Sequence, residues 1–194
     1  QELLHGAFLL HKQGWHPVAL GGDNGKKLLA SGITGYSPND AAPDDFQFWP
    51  AWFGARWRNL GVRCPIGVLG VDVDDGYSDK NGRLKRGLAT VADYEKRFGA
   101  ELPATYMTTA RLGGSGIRWY RVPDAFVGPG ALRQFDTRKP GDVELIQRHH
   151  RYGAVPPSIH HTGHPYRLYG PDGDVIADGL LPSPGDLPEL PAAW

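Results

Sequence analysis

One stretch of this 194-residue sequence, "IGVLGVDVDDGYSDKNG" at positions 66–82, constrains the fold more than any other. Its first half is apolar and rich in valine, which predicts a buried β-strand, and this strand runs into Asp72, Asp74 and Asp75. On a strand, Asp72 and Asp74 point to the same face, while the valines beside them point to the opposite face and into a core. Neighbouring carboxylates repel one another unless a cation lies between them. The stretch therefore predicts a site for one or two divalent cations; the alternative is a strand that ends in an acidic turn.

A third carboxylate is expected on a neighbouring strand. The segment "GDVELIQ" offers Glu144, which lies between Val143 and Leu145 in the alternating pattern of a strand with one buried face. Glu144 is the candidate that completes the acid set, although an exposed strand residue would show the same pattern. Asp142 competes for this role but lies nearer the turn.

A glycine-rich segment, "TARLGGSGIRWYRVP", offers candidates for phosphate binding. Glycines let backbone N–H groups come close to phosphate oxygens, with Ser115 among them. Arg111 and Arg118 flank the loop and can pair bidentately with a phosphate. The alternative is a simple hairpin turn. The pattern GxxxxGK[ST] does not occur, so the loop is not a P-loop.

Histidines and basic residues are clustered elsewhere. Five of the eight histidines fall in "RHHRYGAVPPSIHHTGHPY", whose spacing fits no zinc pattern. We expect "PPSIHHTG" to form a rigid turn that presents Ser158, His160 or His161 to a phosphate, although exposed loop histidines are the alternative. Basic patches such as "KK" (Lys26 and Lys27) and "RLKR", with nearby tryptophans, could line a groove for a nucleic-acid strand.

Composition narrows the function classes. The formal net charge is zero, so no overall basic field indicates nucleic acid or membrane binding, although a local basic groove is compatible with it. Cys64 is the only cysteine, which excludes disulfides within the chain and a cysteine-built zinc site. No apolar run approaches the ~18 residues of a membrane span and no signal peptide is visible. We expect a cytoplasmic protein with no membrane partner.

The order of elements indicates an α+β domain. A helix is predicted at residues 2–13, an aromatic-rich helix within 38–54 and a third helix ending at Gly99. The second half carries short strand-like runs separated by turns, which is typical of a mostly antiparallel sheet. We assign residues 1–181 to one domain and interpret the proline-punctuated residues 182–194 as an exit linker.

Taken in order, these pieces resemble the bifunctional DNA primase/polymerase (Prim-Pol) domain of the archaeo-eukaryotic primase superfamily, found in phage and plasmid replication proteins. The resemblance runs from about Gly14 to Tyr169. It is carried by "GWHPVAL" with its lysine-bearing loop, "WRNLGVRCPIGVLGVDVDD", "TTARLGGSGIRWYRVP" and "VPPSIHHTGHPY".

The resemblance implies a Prim-Pol fold, in which a β/α module is combined with an RRM-like, mostly antiparallel catalytic sheet. It implies template-directed nucleotidyl transfer from NTPs or dNTPs on single-stranded DNA and a primer, with Mg²⁺ or Mn²⁺, and a C-terminal helicase domain in the full-length protein. By position, Asp72 and Asp74 match the family's paired acids and Glu144 its third acid, so these three would hold the metal and carry catalysis. His160 matches the histidine of the "PPSxH" block. The residues expected to contact the nucleotide are Lys26, Lys27, Arg111, Ser115, Arg118 and His160.

Two departures from the family pattern stand out. The second motif usually carries a histidine, and here Ile117 and Arg118 occupy that neighbourhood. We expect Arg118 to take over the triphosphate contact. The third acid is a glutamate where an aspartate is common.

Two rival functions fit parts of the sequence. A non-catalytic primase-like module that binds DNA is compatible with the missing second-motif histidine. A phosphohydrolase of the haloacid dehalogenase class also has an apolar strand ending in DxD, with Asp72 as nucleophile and Asp74 as acid/base. That class normally places this strand near the chain start, whereas here it lies some seventy residues in.

Overall fold

The structure, a computed structural model, describes residues 2–29, 57–128, 142–148 and 150–194; the helix predicted within 38–54 lies outside these ranges. Its helices are α1 (Glu2–Lys12) and α2 (Gly87–Phe98), with short 3₁₀ turns at Asp124–Phe126 and Pro184–Asp186. Its strands are β1 (His16–Gly21), β2 (Lys27–Leu28), β3 (Trp57–Arg63), β4 (Val68–Val73), β5 (Asp75–Ser78), β6 (Leu84–Arg86), β7 (Met107–Thr109), β8 (Gly116–Arg121), β9 (Val143–Gln147), β10 (Gly153–Val155) and β11 (Arg167–Tyr169).

The acidic strand β4 lies inside a five-stranded sheet of order β11-β7-β8-β4-β9, whose strand pairs are all antiparallel. Asp72 lies opposite Ile117 of β8 on one side and opposite Glu144 of β9 on the other. The alternation predicted for β4 is observed: Val71 and Val73 are fully buried in a core that β4 shares with β8, β9 and α2. The face that carries Asp72 is therefore the one turned away from α2.

A second sheet, of order β10-β3-β1-β2, is also antiparallel and packs with α1. Ala7 and Leu10 of α1 pack in one core with residues of both sheets, including Leu60 and Trp119. Phe8 of the same helix is half exposed. This shared core joins the two sheets.

The short hairpin β5–β6 connects the acidic strand to α2, and a glycine makes the connection possible. A Cβ at Gly87 would lie 2.5 Å from the carbonyl oxygen of Asp74, so only glycine lets α2 begin this close to the strand end. Asp75 accepts a hydrogen bond from the backbone N–H of Leu88 at 3.0 Å. A carboxylate at a helix N-terminus is favourable, so Asp75 stabilises the start of α2.

The proline-rich end of the chain packs against the domain. Leu187 and Leu190 are buried, the backbone of Arg121 exchanges hydrogen bonds with Pro188 and Leu190, and the indole of Trp194 donates to the carbonyl of Ala100. A linker would leave these groups exposed, so the interpretation of residues 182–194 as an exit linker is corrected. Its proline punctuation produces an irregular but packed segment.

These observations confirm the predicted α+β class and the mostly antiparallel sheet behind the acidic strand. Within the described ranges, neither helix has the length and apolar character that a membrane crossing requires.

Candidate nucleotide-binding and metal site

A cavity of about 280 Å³ opens where the two sheets meet, near the low end of the ~300–1,000 Å³ typical of small-molecule sites. Acidic side chains from the five-stranded sheet form one wall, which we call the acid wall: Asp72, Asp74 and Glu144. Residues from the loops that follow β1, β7, β9 and β10 form the basic wall of the same cavity: Lys26, Arg111, Arg151 and His160. Most of the predicted site residues therefore line one cavity.

Asp72 and Glu144 lie side by side on the acid wall. They are register partners of β4 and β9, which places their Cα atoms about 4.5–5.5 Å apart. Burial, together with the charges of Asp74 and Glu144, raises the pKa of Asp72 to about 7 against the opposing effects of Lys26 and Arg151. The acid wall is thus a place where negative charge is costly and a cation would be stabilising.

Asp74 is held by groups from the β5–β6 hairpin. It accepts a short hydrogen bond from the hydroxyl of Tyr77, and its other oxygen lies 3.2 Å from the ammonium of Lys85. Lys85 in turn contacts Asp142 at 3.3 Å, and Arg83 pairs with that same carboxylate at 2.7 Å. Asp142 is therefore engaged in this ion-pair network and does not line the cavity, which leaves Glu144 as the third acid. The sequence analysis expected the "RLKR" segment to line a groove for a nucleic-acid strand. In the structure its Arg83 and Lys85 bind carboxylates.

Glu144 also has basic partners. The Nε of Arg151 donates to its Oε1 at 2.8 Å, and the Nε2 of His150 lies 3.2 Å from the same oxygen. With Asp74 and Glu144 turned to these partners, no three His, Cys, Asp or Glu side chains among the described residues converge as a metal site. The donors nevertheless fit Mg²⁺ or Mn²⁺ in kind, since hard cations prefer carboxylate oxygens, and in place, since all three acids line one cavity.

Two cations of the basic wall face the acids. Lys26 follows Gly25 in the loop after β1, and desolvation lowers its pKa against the attraction of Asp72. The guanidinium of Arg111 lies 3.7 Å from the centroid of the Tyr77 ring, a cation–π contact that holds it at the cavity. Positive charge therefore lines the same cavity as the acid wall.

His160 is the most distinctive group of the basic wall. His160 belongs to the cavity lining although it is only 3% exposed, and its Nε2 is buried without a hydrogen-bond partner among the described residues. Its Nδ1 lies 2.8 Å from the hydroxyl of Thr162 and 3.4 Å from the Thr162 backbone N–H. Desolvation and nearby cations, Lys26 first among them, lower the pKa of His160 to about 4, so the ring is neutral at pH 7. Since the Thr162 backbone N–H can only donate, we assign the acceptor role to Nδ1 and the ring proton to Nε2, which then lacks an acceptor.

Asn59, which the sequence analysis did not single out, connects the two loops of the basic wall. Its Nδ2 donates to the carbonyls of Gly25 at 3.0 Å and Ile159 at 2.8 Å, and its Oδ1 accepts from the N–H of Ile159 at 2.9 Å. A Cβ at Gly25, whose φ is +65°, would lie 2.5 Å from that amide nitrogen. Asn59 thus fixes Lys26 and His160 through their neighbours. Its place directly before the apolar run "LGV" of β3 was the available signal.

The lining also includes the tyrosines Tyr77, Tyr152 and Tyr166, which the sequence analysis did not select. Tyr152 donates to the carbonyl of Lys26 at 2.6 Å, and burial, with the nearby charge of Asp72, raises the pKa of Tyr166 to about 12. Aromatic residues in short strands are ordinary core residues, so their types alone gave no signal.

Four residues that the sequence analysis offered for phosphate binding have other contacts or other positions in the structure. Arg118 is the register partner of Val71, which puts it on the sheet face opposite Asp72, and it donates to the carbonyl of Gly114 at 2.8 Å. Ile117, one residue earlier, occupies the cavity face instead.

The other three of these residues are two serines and a lysine. Ser115 lines the cavity, but its hydroxyl donates to the carbonyl of Val73 and accepts from the N–H of Asp75. Ser158 is fully buried and its hydroxyl is used by both backbone groups of Leu60. Lys27 pairs with Gly21 on β2, is exposed and does not line the cavity.

Comparison with known proteins places this site in a family context. No curated protein matches the chain. The family model described as "Bifunctional DNA primase/polymerase, N-terminal" matches residues 7–193, which include every element of the cavity and the packed C-terminal segment. The chain therefore belongs to the Prim-Pol family of bifunctional DNA primase/polymerase domains.

Proposed function

We propose that this domain catalyses template-directed DNA synthesis, in which a 3′-hydroxyl attacks the α-phosphate of a (d)NTP and pyrophosphate leaves. Membership of the Prim-Pol family supports primase/polymerase-type nucleotidyl transfer in general. The observation that carries the specific proposal is that one cavity is lined by three carboxylates, from β4, its end and the adjacent β9, and by His160, whose buried Nε2 has no hydrogen-bond partner among the described residues.

Asp72, Asp74 and Glu144 would hold Mg²⁺ or Mn²⁺. When bound, two such cations lower the pKa of the attacking hydroxyl and stabilise negative charge on the transferring phosphate and the leaving pyrophosphate. The chain's contribution on this wall is placement, because β-sheet register fixes Asp72 beside Glu144.

Lys26, Arg111 and His160 would bind the triphosphate. Lys26 and Arg111 supply positive charge at the cavity, and the neutral His160 supplies an Nε2–H that already lacks an acceptor in the free protein. A buried donor without an acceptor is costly, so a phosphate oxygen that accepts from it gains more than a hydrogen bond exposed to water.

The test is nucleotide incorporation on single-stranded DNA, with and without a primer, in Mg²⁺ and in Mn²⁺. We expect metal-dependent synthesis by the native protein and none by the Asp72→Ala/Asp74→Ala variant. A matched control is Asp124→Ala, which removes an exposed carboxylate far from the cavity lining. Synthesis that survives in the double variant would contradict the proposal.

A non-catalytic DNA-binding module is the second candidate, and one observation favours it. Ile117, rather than a histidine, faces the cavity from the second motif. DNA binding without incorporation under any metal condition would select this candidate. The haloacid dehalogenase alternative has no support from the family match. The C-terminal helicase, the phage or plasmid setting and the cytoplasmic location remain predictions.

A further inference from the structure

Asp74 and Glu144 each have a basic partner, and the two partners differ in how exposed their side chains are. Lys85, the partner of Asp74, has a side chain only 11% exposed and is itself held by Asp142. Arg151, the partner of Glu144, has a side chain 56% exposed and lies on the cavity lining. One ion pair is part of a packed network, whereas the other is formed by a solvent-accessible side chain at the edge of the site.

The backbone of Arg151 also distinguishes it. Among the described residues it alone, apart from glycines, has a positive φ, of 69°. A non-glycine residue in this region is strained, and such residues concentrate at ligand-binding sites. The conformation places the arginine between β9 and β10, where its guanidinium reaches Glu144.

Glu144 cannot keep this partner and also coordinate a cation with full effect. The guanidinium occupies Oε1 at 2.8 Å, and its positive charge opposes the approach of a divalent ion. An arginine displaced from the carboxylate remains at the cavity, where its planar donors match phosphate oxygens bidentately.

We propose that Arg151 is an exchangeable counter-ion: it neutralises Glu144 in the free protein and transfers to the triphosphate when cation and nucleotide bind. This inference rests on the proposed function, whose nucleotide-binding side it deepens. It assigns to Arg151 the triphosphate contact that the sequence analysis gave to Arg118. Lys85 stays in place, because its departure would remove the ammonium that both Asp74 and Asp142 contact.

The test uses Arg151→Gln and two equilibrium measurements that move in opposite directions. Binding of Mn²⁺ alone, followed by electron paramagnetic resonance, should tighten about threefold to tenfold, because Glu144 loses a competing cation. Binding of a non-hydrolysable deoxynucleoside triphosphate in Mg²⁺ should weaken about tenfold to a hundredfold, the usual loss for a hydrogen bond to a charged group. A purely structural role would weaken both.

Two further variants keep the test decisive. Arg151→Gly removes the side chain while suiting a positive φ, so it should repeat both shifts even where glutamine disturbs the loop. Arg97→Gln, an exposed arginine of α2, should change neither. Unchanged or weaker Mn²⁺ binding, or unchanged nucleotide binding, in Arg151→Gly would overturn the proposal. Because both measurements are of binding, they decide it even if the native protein shows no DNA synthesis.

Discussion

The acid wall and the basic wall of the cavity are built in different ways. Asp72 and Glu144 are fixed by the register of adjacent strands in the middle of a sheet. Lys26 and His160 lie on loops, and the two loops depend on the side chain of Asn59, which hydrogen-bonds to both. The comparison shows that a strand places a functional group through its own backbone pairing, whereas a loop needs a third residue to place it.

The largest effect is expected from a substitution that removes the charge of one acid and keeps its shape. Asp72→Asn should lower DNA synthesis at least about 100-fold, because loss of a group that only orients a metal ligand already costs ~10–100-fold. Steady-state incorporation of labelled dNTP measures it. Asp124→Asn should remain near native activity, and an Asp72→Asn protein with native activity would remove the acid wall from the mechanism.

The basic wall should fail as a unit when its connecting side chain is removed. Asn59→Ala should lower the free energy of unfolding by about 2–3 kcal/mol, because buried backbone groups lose their partners. It should also weaken nucleotide binding, since Lys26 and His160 lose their common support. Urea unfolding and nucleotide binding by calorimetry measure the two effects. Asn81→Ala, in an exposed turn, is the control. Native nucleotide binding by an Asn59→Ala protein that has lost the expected stability would contradict the role of Asn59 in positioning the two loops.

The acid wall should also be a source of instability that depends on pH. The pKa of Asp72 is about 7 in the folded protein against an ordinary 3.8, so folding takes up a proton between these values. The contribution of Asp72 to stability therefore falls as pH rises from about 4 to 7 and stays low above that. In chelator, Asp72→Asn should be more stable than native by roughly 1–2 kcal/mol at pH 8 and nearly equal at pH 4. Thermal melts at both pH values measure this, and an equal gain at both would contradict the charge repulsion.

The smallest effect separates two adjacent lysines. Lys26→Gln should weaken triphosphate binding about threefold to tenfold, since an accessible charge at the cavity is partly screened by solvent. Lys27→Gln should change it by less than about twofold, because this side chain is exposed on β2 and away from the lining. Isothermal titration of the same nucleotide analogue compares them, and equal effects would mean that bulk charge, not position, matters.

The residues of the acid wall could be predicted from the sequence, whereas the position of Arg118 could not. The acid wall follows from the two-residue period of a strand, which put Asp72 and Asp74 together and selected Glu144 from its alternating neighbours. The same period explains the error at Arg118: a shift of one residue moves a side chain to the other face, and Ile117 has the cavity face.

Loop positions could be predicted only in kind. The sequence indicated lysines and histidines near a phosphate, but the choice of Lys26 over Lys27 depends on how Asn59 and Tyr152 hold the loop after β1. The engagement of the Ser115 and Ser158 hydroxyls by backbone groups depends on contacts between distant segments. The packing of residues 182–194 likewise depends on apolar surface that other elements leave open, which a local proline pattern does not reveal.

The most direct test of the central claim, that both walls bind one substrate, is a crystal structure of the protein with Mn²⁺ and a non-hydrolysable deoxynucleoside triphosphate. We predict anomalous density for manganese beside Asp72 and Glu144, with the triphosphate against Lys26 and the Nε2 of His160. Manganese or triphosphate bound elsewhere, with this cavity holding neither, would contradict the account.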